Sequence, residues 1–496
     1  MIRTSKIISG LIFLIVVSFF TSCKKPTSGT TGWEYNNSKN GGFQVAPFED
    51  QETGPGLILI EGGTFVQGRT EQDLKWEWDN IPRRVTVSSF YMDETEVKNL
   101  DYCEYLYWLS RVYGTDYPDV YKKALPDTLC WRNKLEYNEP LVQYYLRHPS
   151  YREYPVVGVS WNQAKDYCAW RTDRVNEKIL IENGVLKWDP DQLNENNFNT
   201  FAYLSGQYEG VVNQDLVDLN PSGSGTRKVR MEDGIFLPEY RLPTESEWEF
   251  AALGLIGNTL FERIIERRIY PWNGHITRTD DKKAYGDFVA NFKRGKGDMM
   301  GVAGNLNDAA DITAPVYSYW PNDYGLYNMA GNVSEWVMDV YRPLTLEDAG
   351  DFRTFRGNQY QTYKRDEEGA IAEKDSLGRI IMVDVNVKDN LTRRNYRKAD
   401  NINFLDGDAA STTLGDWTAL ADSNATSKMY IYPDQGVANP TSMINDKARV
   451  YKGGSWKDLA YYMSPGVRRF LDENQSTDYI GFRCAMVRLG APVAKK

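Results

Sequence analysis

An aspartate near the C-terminus of this 496-residue chain is the residue best placed for acid–base chemistry. Asp458 follows Lys457 and precedes the pair Arg468-Arg469. A carboxylate close to cations can act as a general acid or base, because neighbouring charges tune its pKa. Ion pairs without a catalytic role produce the same pattern. We therefore predict that Asp458 forms a salt bridge on the wall of a pocket rather than a catalytic group.

Cysteines are the second group of residues with potential chemistry. Apart from Cys23, the chain has four: Cys103, Cys130, Cys168 and Cys484. An even number of cysteines outside the cytoplasm suggests disulfides, but their spacing alone assigns no pairing. The only histidines, His148 and His275, occur in polar or turn-like contexts. This composition excludes a multi-histidine metal site.

The N-terminus has the pattern of an export signal. Arg3 and Lys6 precede an apolar run over residues 7–20 that is too short for a comfortable membrane span. Small residues then lead to Cys23, as in a lipobox. We predict that residues 1–22 form a lipoprotein signal peptide and that Cys23 is lipidated. The alternative is an ordinary signal peptide with an incidental cysteine.

Charge and composition restrict the partners of the mature chain. Cleavage after residue 22 removes two basic residues and shifts the net charge from −10 to −12. An acidic chain without a basic run argues against nucleic acid, and it leaves the lipid as the membrane attachment. Residues 23–56 are polar and rich in Gly, Ser and Asn. This composition is typical of a flexible tether.

Short, glycine-punctuated elements follow the tether. Residues 57–68 have the pattern of a hairpin around Gly62-Gly63, and a helix with apolar spacings of three and four runs from Glu94 to Leu109. A second helix follows Ser160. In Arg241 to Ala252, Thr244 and Glu247 have the spacing of a capping box. Because no sustained β-α-β alternation appears, we predict an irregular α+β domain over residues 57–490.

Two long polar insertions interrupt this domain, over about residues 183–238 and 341–448. Segments of this length without regular structure are usually functional or disordered. The second insertion contains several aromatic residues, which favours partly ordered structure that docks a partner over a simple solvated decoration.

Several short motifs along the chain resemble those of one family. They include Gly62-Gly63-Thr64-Phe65, Tyr270-Pro271-Trp272, the run from Tyr324 to Trp336, and the closing segment Lys452-Gly453-Gly454-Ser455-Trp456 … Gly481-Phe482-Arg483-Cys484. Together they are similar to the formylglycine-generating enzyme, or sulfatase-modifying factor, family. The resemblance implies the formylglycine-generating-enzyme fold, a C-type-lectin-like α+β domain with little regular secondary structure.

In that family, two cysteines after the Gly-Gly-Ser bind copper. The matching positions here are Asp458 and Met463, which cannot replace a pair of thiolates as ligands of Cu(I). The resemblance therefore implies a pseudoenzyme without copper, and a formylglycine-generating oxidase is the unlikely alternative. It also implies a disulfide between Cys168 and Cys484.

The resemblance further implies two structural calcium sites, built from carboxylates, amides and carbonyls. The first would use Asn291, Phe292, Asp308 and Ala310. The second would use the turn residues Ala330, Gly331 and Val333 together with Glu335. The alternative is that these are turn and capping residues without a metal.

Some further segments resemble the GldJ/GldK type of gliding-motility lipoproteins of Bacteroidota. They are Thr31-Gly32-Trp33 with Gly41-Gly42-Phe43, Asp79-Asn80-Ile81-Pro82, Ala124 to Leu129, and Arg171 to Glu177. This resemblance implies a non-catalytic component of the gliding and type IX secretion machinery, held at the outer membrane and facing the periplasm. Its partners would be a GldK-type ring lipoprotein and a GldN-type protein. A lectin-like, ligand-binding lipoprotein is the alternative.

Overall fold

A computed structural model describes residues 26–71, 73–77, 79–254, 268–272, 275–293, 312–342, 361–385 and 447–490. The predicted lipidation residue Cys23 and the predicted calcium ligands Asp308 and Ala310 lie outside the described residues. The chain divides into two compact units. The small unit comprises Met1–Glu49, Leu180–Lys187 and Val211–Phe236, and the large unit comprises Asp50–Ile179, Trp188–Gly210 and Leu237–Lys496.

Helices are few and mostly short among the described residues. They are α1 (Asn99–Tyr113), α2 (Pro118–Ala124), α3 (Glu139–Tyr144), α4 (Trp161–Glu182), α5 (Thr200–Leu204) and α6 (Glu245–Leu253). None of these helices is both long and apolar enough to cross a bilayer.

The strands form several small sheets. They are β1 (Leu57–Ile60), β2 (Gly63–Gln67), β3 (Arg83–Val87), β4 (Phe90–Asp93), β5 (Leu216–Val217), β6 (Thr226–Arg227), β7 (Tyr240–Arg241), β8 (Ser334–Val340), β9 (Gln361–Tyr363), β10 (Met382–Asp384), β11 (Ala448–Lys452), β12 (Arg469–Asp472), β13 (Ile480–Gly481) and β14 (Ala485–Val487). The large unit contains two four-stranded sheets, in the orders β1-β4-β14-β7 and β12-β11-β8-β13. The strands β2 and β3 pair separately.

The predicted hairpin over residues 57–68 is wrong. β1 pairs with β4, so that Leu57 lies opposite Asp93, whereas β2 pairs with β3. The Gly-Gly step moves the chain from one sheet to the next instead of turning it back. A Cβ at Gly62 would come within 2.4 Å of the Ser89 backbone nitrogen, so glycine permits this close passage.

The first predicted helix is shorter at its start than expected. It begins at Asn99, and residues 94–98 precede it as irregular backbone. Tyr102, Tyr105 and Leu109 are buried as predicted, but Leu100 is 45% exposed. The helix packs through its tyrosines, since the ring of Tyr102 stacks on Tyr167 of α4 at 5.7 Å between centroids.

Residues 26–49 are folded, which corrects the prediction of a flexible tether. The backbone nitrogen of Tyr35 donates to the Pro26 carbonyl at 2.9 Å, and a short 3₁₀ turn covers Ser38–Asn40. Glycine here permits tight packing rather than flexibility. A Cβ at Gly42 would lie 1.9 Å from the Leu219 carbonyl oxygen.

The first predicted insertion contains ordered structure. The hairpin of β5 and β6 and the short helix α5 lie within it. Of the second insertion, the structure describes residues 361–385, where β9 and β10 pair antiparallel. Its aromatic residues other than Tyr363 that would dock a partner, such as Trp417 and Tyr430, lie outside the described residues.

Candidate functional site

The Gly453-Gly454 pair shapes the segment that would hold copper in the family. Both glycines have positive φ, 97° and 68°, which is the left-handed region that glycine tolerates best. A Cβ at Gly454 would lie 2.9 Å from the carbonyl oxygen of Tyr462. The pair therefore lets the chain after β11 pass close to the 3₁₀ turn Ala460–Met463.

Asp458 forms a two-pronged ion pair. Arg469 donates from Nη1 to Oδ1 at 2.7 Å and from Nη2 to Oδ2 at 2.9 Å, and the Ser455 hydroxyl donates to Oδ2 at 2.5 Å. The two charged side chains are only 14% and 16% exposed. This geometry is the strong, directional form of an Arg–carboxylate contact. The predicted salt bridge at Asp458 is confirmed.

Met463 is fully buried. It packs in an apolar cluster with Tyr270, Phe288, Phe292 and Ala330. A side chain in this position has no contact with solvent, so an incoming substrate cannot reach it without rearrangement of the cluster.

The loop between β2 and β3 covers the same segment. Arg69 donates to the Tyr461 hydroxyl at 2.6 Å, and that hydroxyl donates to Asp73 at 2.8 Å. Farther along, the Ser464 hydroxyl donates to Glu71 at 2.6 Å. The loop is thus hydrogen-bonded at several points to residues 461–464.

These contacts do not fit a copper centre. Cu(I) prefers soft sulfur ligands, and the resemblance implies a pair of thiolates at these two positions. Here one position has a carboxylate engaged by Arg469, and the other a buried thioether.

The predicted second calcium site contains a competing ion pair. Arg483 donates to Glu335 from Nη2 at 2.6 Å and from Nε at 2.7 Å, and Trp248 Nε1 donates to the same carboxylate at 2.7 Å. Three N–H groups thus occupy a fully buried carboxylate. The structure places Glu335 as the partner of Arg483, and this does not fit the predicted role as a calcium ligand.

The turn before Glu335 is held by amide side chains. Asn332 has a φ of 60°, and its Nδ2 donates to Glu96 at 2.9 Å. Asn328 donates to the other Glu96 oxygen at 3.0 Å. Burial, opposed by Arg483 and reinforced by Glu335, raises the pKa of Glu96 to about 7. The sequence predicts Glu96 at the start of a helix, whereas the structure places it beneath this turn, ahead of the helix that begins at Asn99.

The first predicted calcium site retains an unused ligand atom. Asn291 is 1% exposed, and its Nδ2 donates to the Ile312 carbonyl at 2.8 Å. Its Oδ1 is buried and accepts no hydrogen bond from the residues that the structure describes. A buried amide oxygen without a donor is costly, and a cation would satisfy it. Asn291 therefore fits a calcium ligand, whereas the predicted role of the Phe292 carbonyl stays a prediction.

Cys168 and Cys484 are brought together. Both are buried, and their sulfur atoms lie 3.4 Å apart as separate thiols. The disulfide between them stays a prediction. Cys103 and Cys130 belong to different apolar clusters, and the Cys103 thiol donates to the Leu146 carbonyl.

The sequence did not predict a buried charge cluster that lies at the end of β11. Lys452 Nζ lies 3.2 Å from both Glu245 and Glu249, and Arg468 donates to Glu245 at 2.7 Å. All four side chains are at most 4% exposed. The i, i+4 spacing of the two glutamates was a usable signal, because it puts both on one face of α6.

A small cleft with aromatic walls and a cavity volume of about 30 Å³ lies elsewhere in the large unit. Trp272, Trp320 and the prolines 271 and 321 line it, with Asn328 among the polar groups. Trp320 is 59% exposed. This volume has room for one or two water molecules and is well below that of a pocket that encloses a small ligand.

Comparison with known proteins now identifies the family. The model of the sulfatase-modifying factor enzyme 1-like domain matches residues 43–381. The chain belongs to this family, and its α+β fold is the formylglycine-generating-enzyme fold that the sequence predicted. The matched range ends before Asp458 and Met463, so the correspondence of those positions to copper ligands rests on the closing motif alone.

Its relatives include both enzymes and a protein named as inactive. The chain is 24% identical over 301 residues to a formylglycine-generating enzyme of Mus musculus, covering 57% of this chain and 58% of the relative. It is 38% identical over 303 residues to that of Thermomonospora curvata, covering 60% and 75%. It is 25% identical over 322 residues to the inactive C-alpha-formylglycine-generating enzyme 2 of Bos taurus, covering 61% and 75%. Proteins of this family can therefore be non-catalytic.

Proposed function

We propose that this protein is a non-catalytic lipoprotein in which the family's fold is used as a structural part. The proposal rests on the contacts of Asp458 and Met463, the two positions that match copper ligands in the resemblance. Asp458 is paired with Arg469, and Met463 is fully buried, so the two positions offer neither thiolates nor access. A fold that has lost its metal ligands and closed over their positions is suited to binding other proteins rather than to oxidising a cysteine.

The absence of oxidase chemistry has a direct test. The purified protein would be titrated with Cu(I) in the presence of a competing chelator, and oxygen uptake would be followed with a cysteine-containing peptide. We expect weak, non-stoichiometric copper binding and no oxygen uptake above the rate without protein. Tight binding of one copper ion together with peptide-dependent oxygen uptake would refute the proposal.

The membrane attachment in this proposal is the lipid on Cys23. The motif of small residues before that cysteine supports it. Multiple acyl chains would hold the protein stably at a bilayer, since firm anchoring requires more than one chain. Mass spectrometry of the N-terminal peptide from membranes, compared with a Cys23→Ser variant, tests the modification.

The machinery that we propose is the gliding and type IX secretion apparatus of the outer membrane. The resemblance of segments such as Asp79-Asn80-Ile81-Pro82 to GldJ/GldK-type lipoproteins supports it. The partners would be a GldK-type ring lipoprotein and a GldN-type protein on the periplasmic side. The acidic surface and the polar insertions suit contacts with such proteins.

Cross-linking in intact membranes, followed by identification of the attached proteins, tests these partners. A deletion strain complemented with the wild-type chain is the matched control. We expect loss of secreted cargo, or of gliding, on deletion, and cross-links to ring components. Normal secretion with no such cross-links would contradict the assignment to this apparatus.

A second candidate function is the capture of a ligand on the protein surface, and the exposed Trp320 beside the small aromatic cleft favours it. Indole rings such as those of Trp272 and Trp320 can stack on sugar or proline rings. Titration calorimetry with cell-envelope glycan fragments and proline-rich peptides, with Trp320→Ala as the control, would detect such binding. Saturable binding lost in Trp320→Ala, together with intact secretion in the deletion strain, would favour this function over the first.

A further inference from the structure

The small unit exposes large apolar side chains close to the start of the described chain. Trp33 is 60% exposed, Phe43 66% and Phe48 65%. Single exposed apolar residues are common, but three large aromatic side chains within sixteen residues of a folded segment are not. Their position relative to Cys23 suggests what they contact.

Trp33 is tied to the first described residues by a short antiparallel pairing. The Ser28 backbone nitrogen donates to the Trp33 carbonyl at 2.8 Å, and the Tyr35 nitrogen donates to the Pro26 carbonyl at 2.9 Å. Gly32 closes the turn, with its nitrogen donating to the Ser28 carbonyl at 2.9 Å. Trp33 therefore lies opposite Ser28, within a few ångströms of the point where the chain enters the fold.

Phe43 belongs to the same substructure. Asn36 binds Val45 in both directions, from its Nδ2 to the Val45 carbonyl at 3.0 Å and from the Val45 nitrogen to its Oδ1 at 2.8 Å. The rings of Phe43 and Tyr35 are 5.6 Å apart. The loop that contains Phe43 is thus folded back onto the pairing that contains Trp33.

Gln44 fixes this loop to the rest of the small unit. Its Nε2 donates to the Val217 carbonyl at 3.0 Å, and its Oε1 accepts from Arg227 at 3.1 Å. Val217, beside Gln44, is itself 60% exposed. The exposed apolar residues are therefore presented by a hydrogen-bonded scaffold and not by a free chain.

The distance to the lipid is short. Cys23 precedes Pro26 by three residues, so their Cα atoms lie within roughly 11 Å even in a fully extended chain. A lipidated cysteine places its backbone at the bilayer interface, whose polar layer is about 5–8 Å thick on each side. The pairing of Pro26 with Tyr35 must then begin at, or just above, that layer.

We propose that Trp33 and Phe43 lie in the interfacial layer of the bilayer that holds the acyl chains, as a second attachment beside the lipid. The inference rests on the proposed lipidation of Cys23. Aromatic rings favour this layer, and Trp does so most clearly because its N–H can stay hydrated while its ring is buried among headgroups. The contact fixes the orientation of the small unit on the membrane.

Fluorescence quenching tests this placement in the full mature lipoprotein. The protein would be reconstituted into phosphatidylethanolamine–phosphatidylglycerol vesicles, with or without brominated acyl chains, as wild type and as Trp33→Phe. The emission lost in Trp33→Phe reports Trp33. We expect brominated lipid to quench that difference by a larger fraction than it quenches the total emission, because Trp33 would lie at the membrane interface.

The matched control is Thr31→Ser, an exposed polar change in the same turn, which should quench like the wild type. Mass spectrometry of the N-terminal peptide in the same samples tests the lipidation of Cys23 separately from the placement of Trp33. An unmodified Cys23 would refute the lipid anchor and this inference together. An acylated Cys23 with a Trp33 difference that brominated lipid leaves unquenched would overturn this inference and leave the lipid anchor in place.

Discussion

Arg469 binds both carboxylate oxygens of Asp458, at 2.7 and 2.9 Å, and both side chains are more than four-fifths buried. Removing one member of such a pair leaves the other charge buried and unpaired. We expect Asp458→Ala to lower the free energy of unfolding by about 3–5 kcal/mol. Urea denaturation followed by fluorescence would measure it.

The exposed pair of Arg132 and Glu139 is the control for this prediction. Solvent screens such pairs, so Glu139→Ala should leave the denaturation midpoint almost unchanged. An Asp458→Ala variant as stable as Glu139→Ala would show that the buried contact has little energetic weight.

Asp339 should make the folded protein less stable as the pH rises above neutral. Burial, together with the negative charge of Glu245, raises the pKa of Asp339 to about 7. An aspartate in the unfolded chain titrates near pH 4. The stabilising contribution of the protonated form is therefore complete below about pH 4 and is lost as the pH rises toward and through 7. Asp339→Asn should flatten this decline, as measured by urea denaturation at pH 5 and pH 8.

Glu247 is the control for Asp339, because its pKa is shifted in the opposite direction. Burial opposes ionisation, but Arg241 lowers the pKa of Glu247 below its usual value. Its contribution is present above the unfolded-state pKa and is lost as the pH falls through the folded-state pKa. Glu247→Gln should thus weaken the protein at neutral pH and leave the alkaline decline intact. If Asp339→Asn retained the full decline between pH 5 and 8, the role of Asp339 would be wrong.

A Cys168–Cys484 disulfide should stabilise the oxidised protein strongly. It would close a loop of about 300 residues, for which the chain-entropy model gives about 5.7 kcal/mol as an upper value. Non-reducing peptide mapping should recover the linked peptides, and dithiothreitol should lower the melting temperature. The double variant Cys168→Ala/Cys484→Ala should not respond to dithiothreitol. Recovery of only free thiols from periplasmic material would contradict the bridge.

If calcium binds at Asn291, the melting temperature should depend on whether a chelator is present. Bound at 100 times its Kd, an ion stabilises the folded state by about 2.7 kcal/mol, so EDTA should lower the melting temperature. Asn291→Leu removes the unpaired Oδ1 and should abolish the EDTA effect, whereas Asn291→Asp keeps an oxygen and should retain it. Elemental analysis would count the ion. Metal-free protein with a melt indifferent to EDTA would refute the site.

Local sequence signals predicted the structure well where the contacts are local. Thr244 accepts from the Glu247 backbone at 3.2 Å, and Glu247 reaches back to the Thr244 nitrogen at 2.9 Å, so the capping box is confirmed. The helix that this box begins buries Trp248 fully.

Contacts between distant segments were not accessible in the same way. β1 pairs with β4 across thirty residues, although the Gly-Gly step suggested a hairpin. Lys452 meets Glu245 across 207 residues, and no local pattern records which glutamate a lysine will find. The resemblance to a family supplied the fold, and the salt bridge of Asp458 followed from the charges around it. The contacts of the loop between β2 and β3 with residues 461–464 join distant parts of the chain, so the sequence did not predict them.

The position of β14 has a consequence for biogenesis. This strand contains residues 485–487, yet it lies between β4 and β7 in the first sheet. The sheet therefore cannot be completed until residues 485–487 have been synthesised and have reached β4 and β7. A product truncated before residue 485 would leave β4 and β7 without the strand that lies between them.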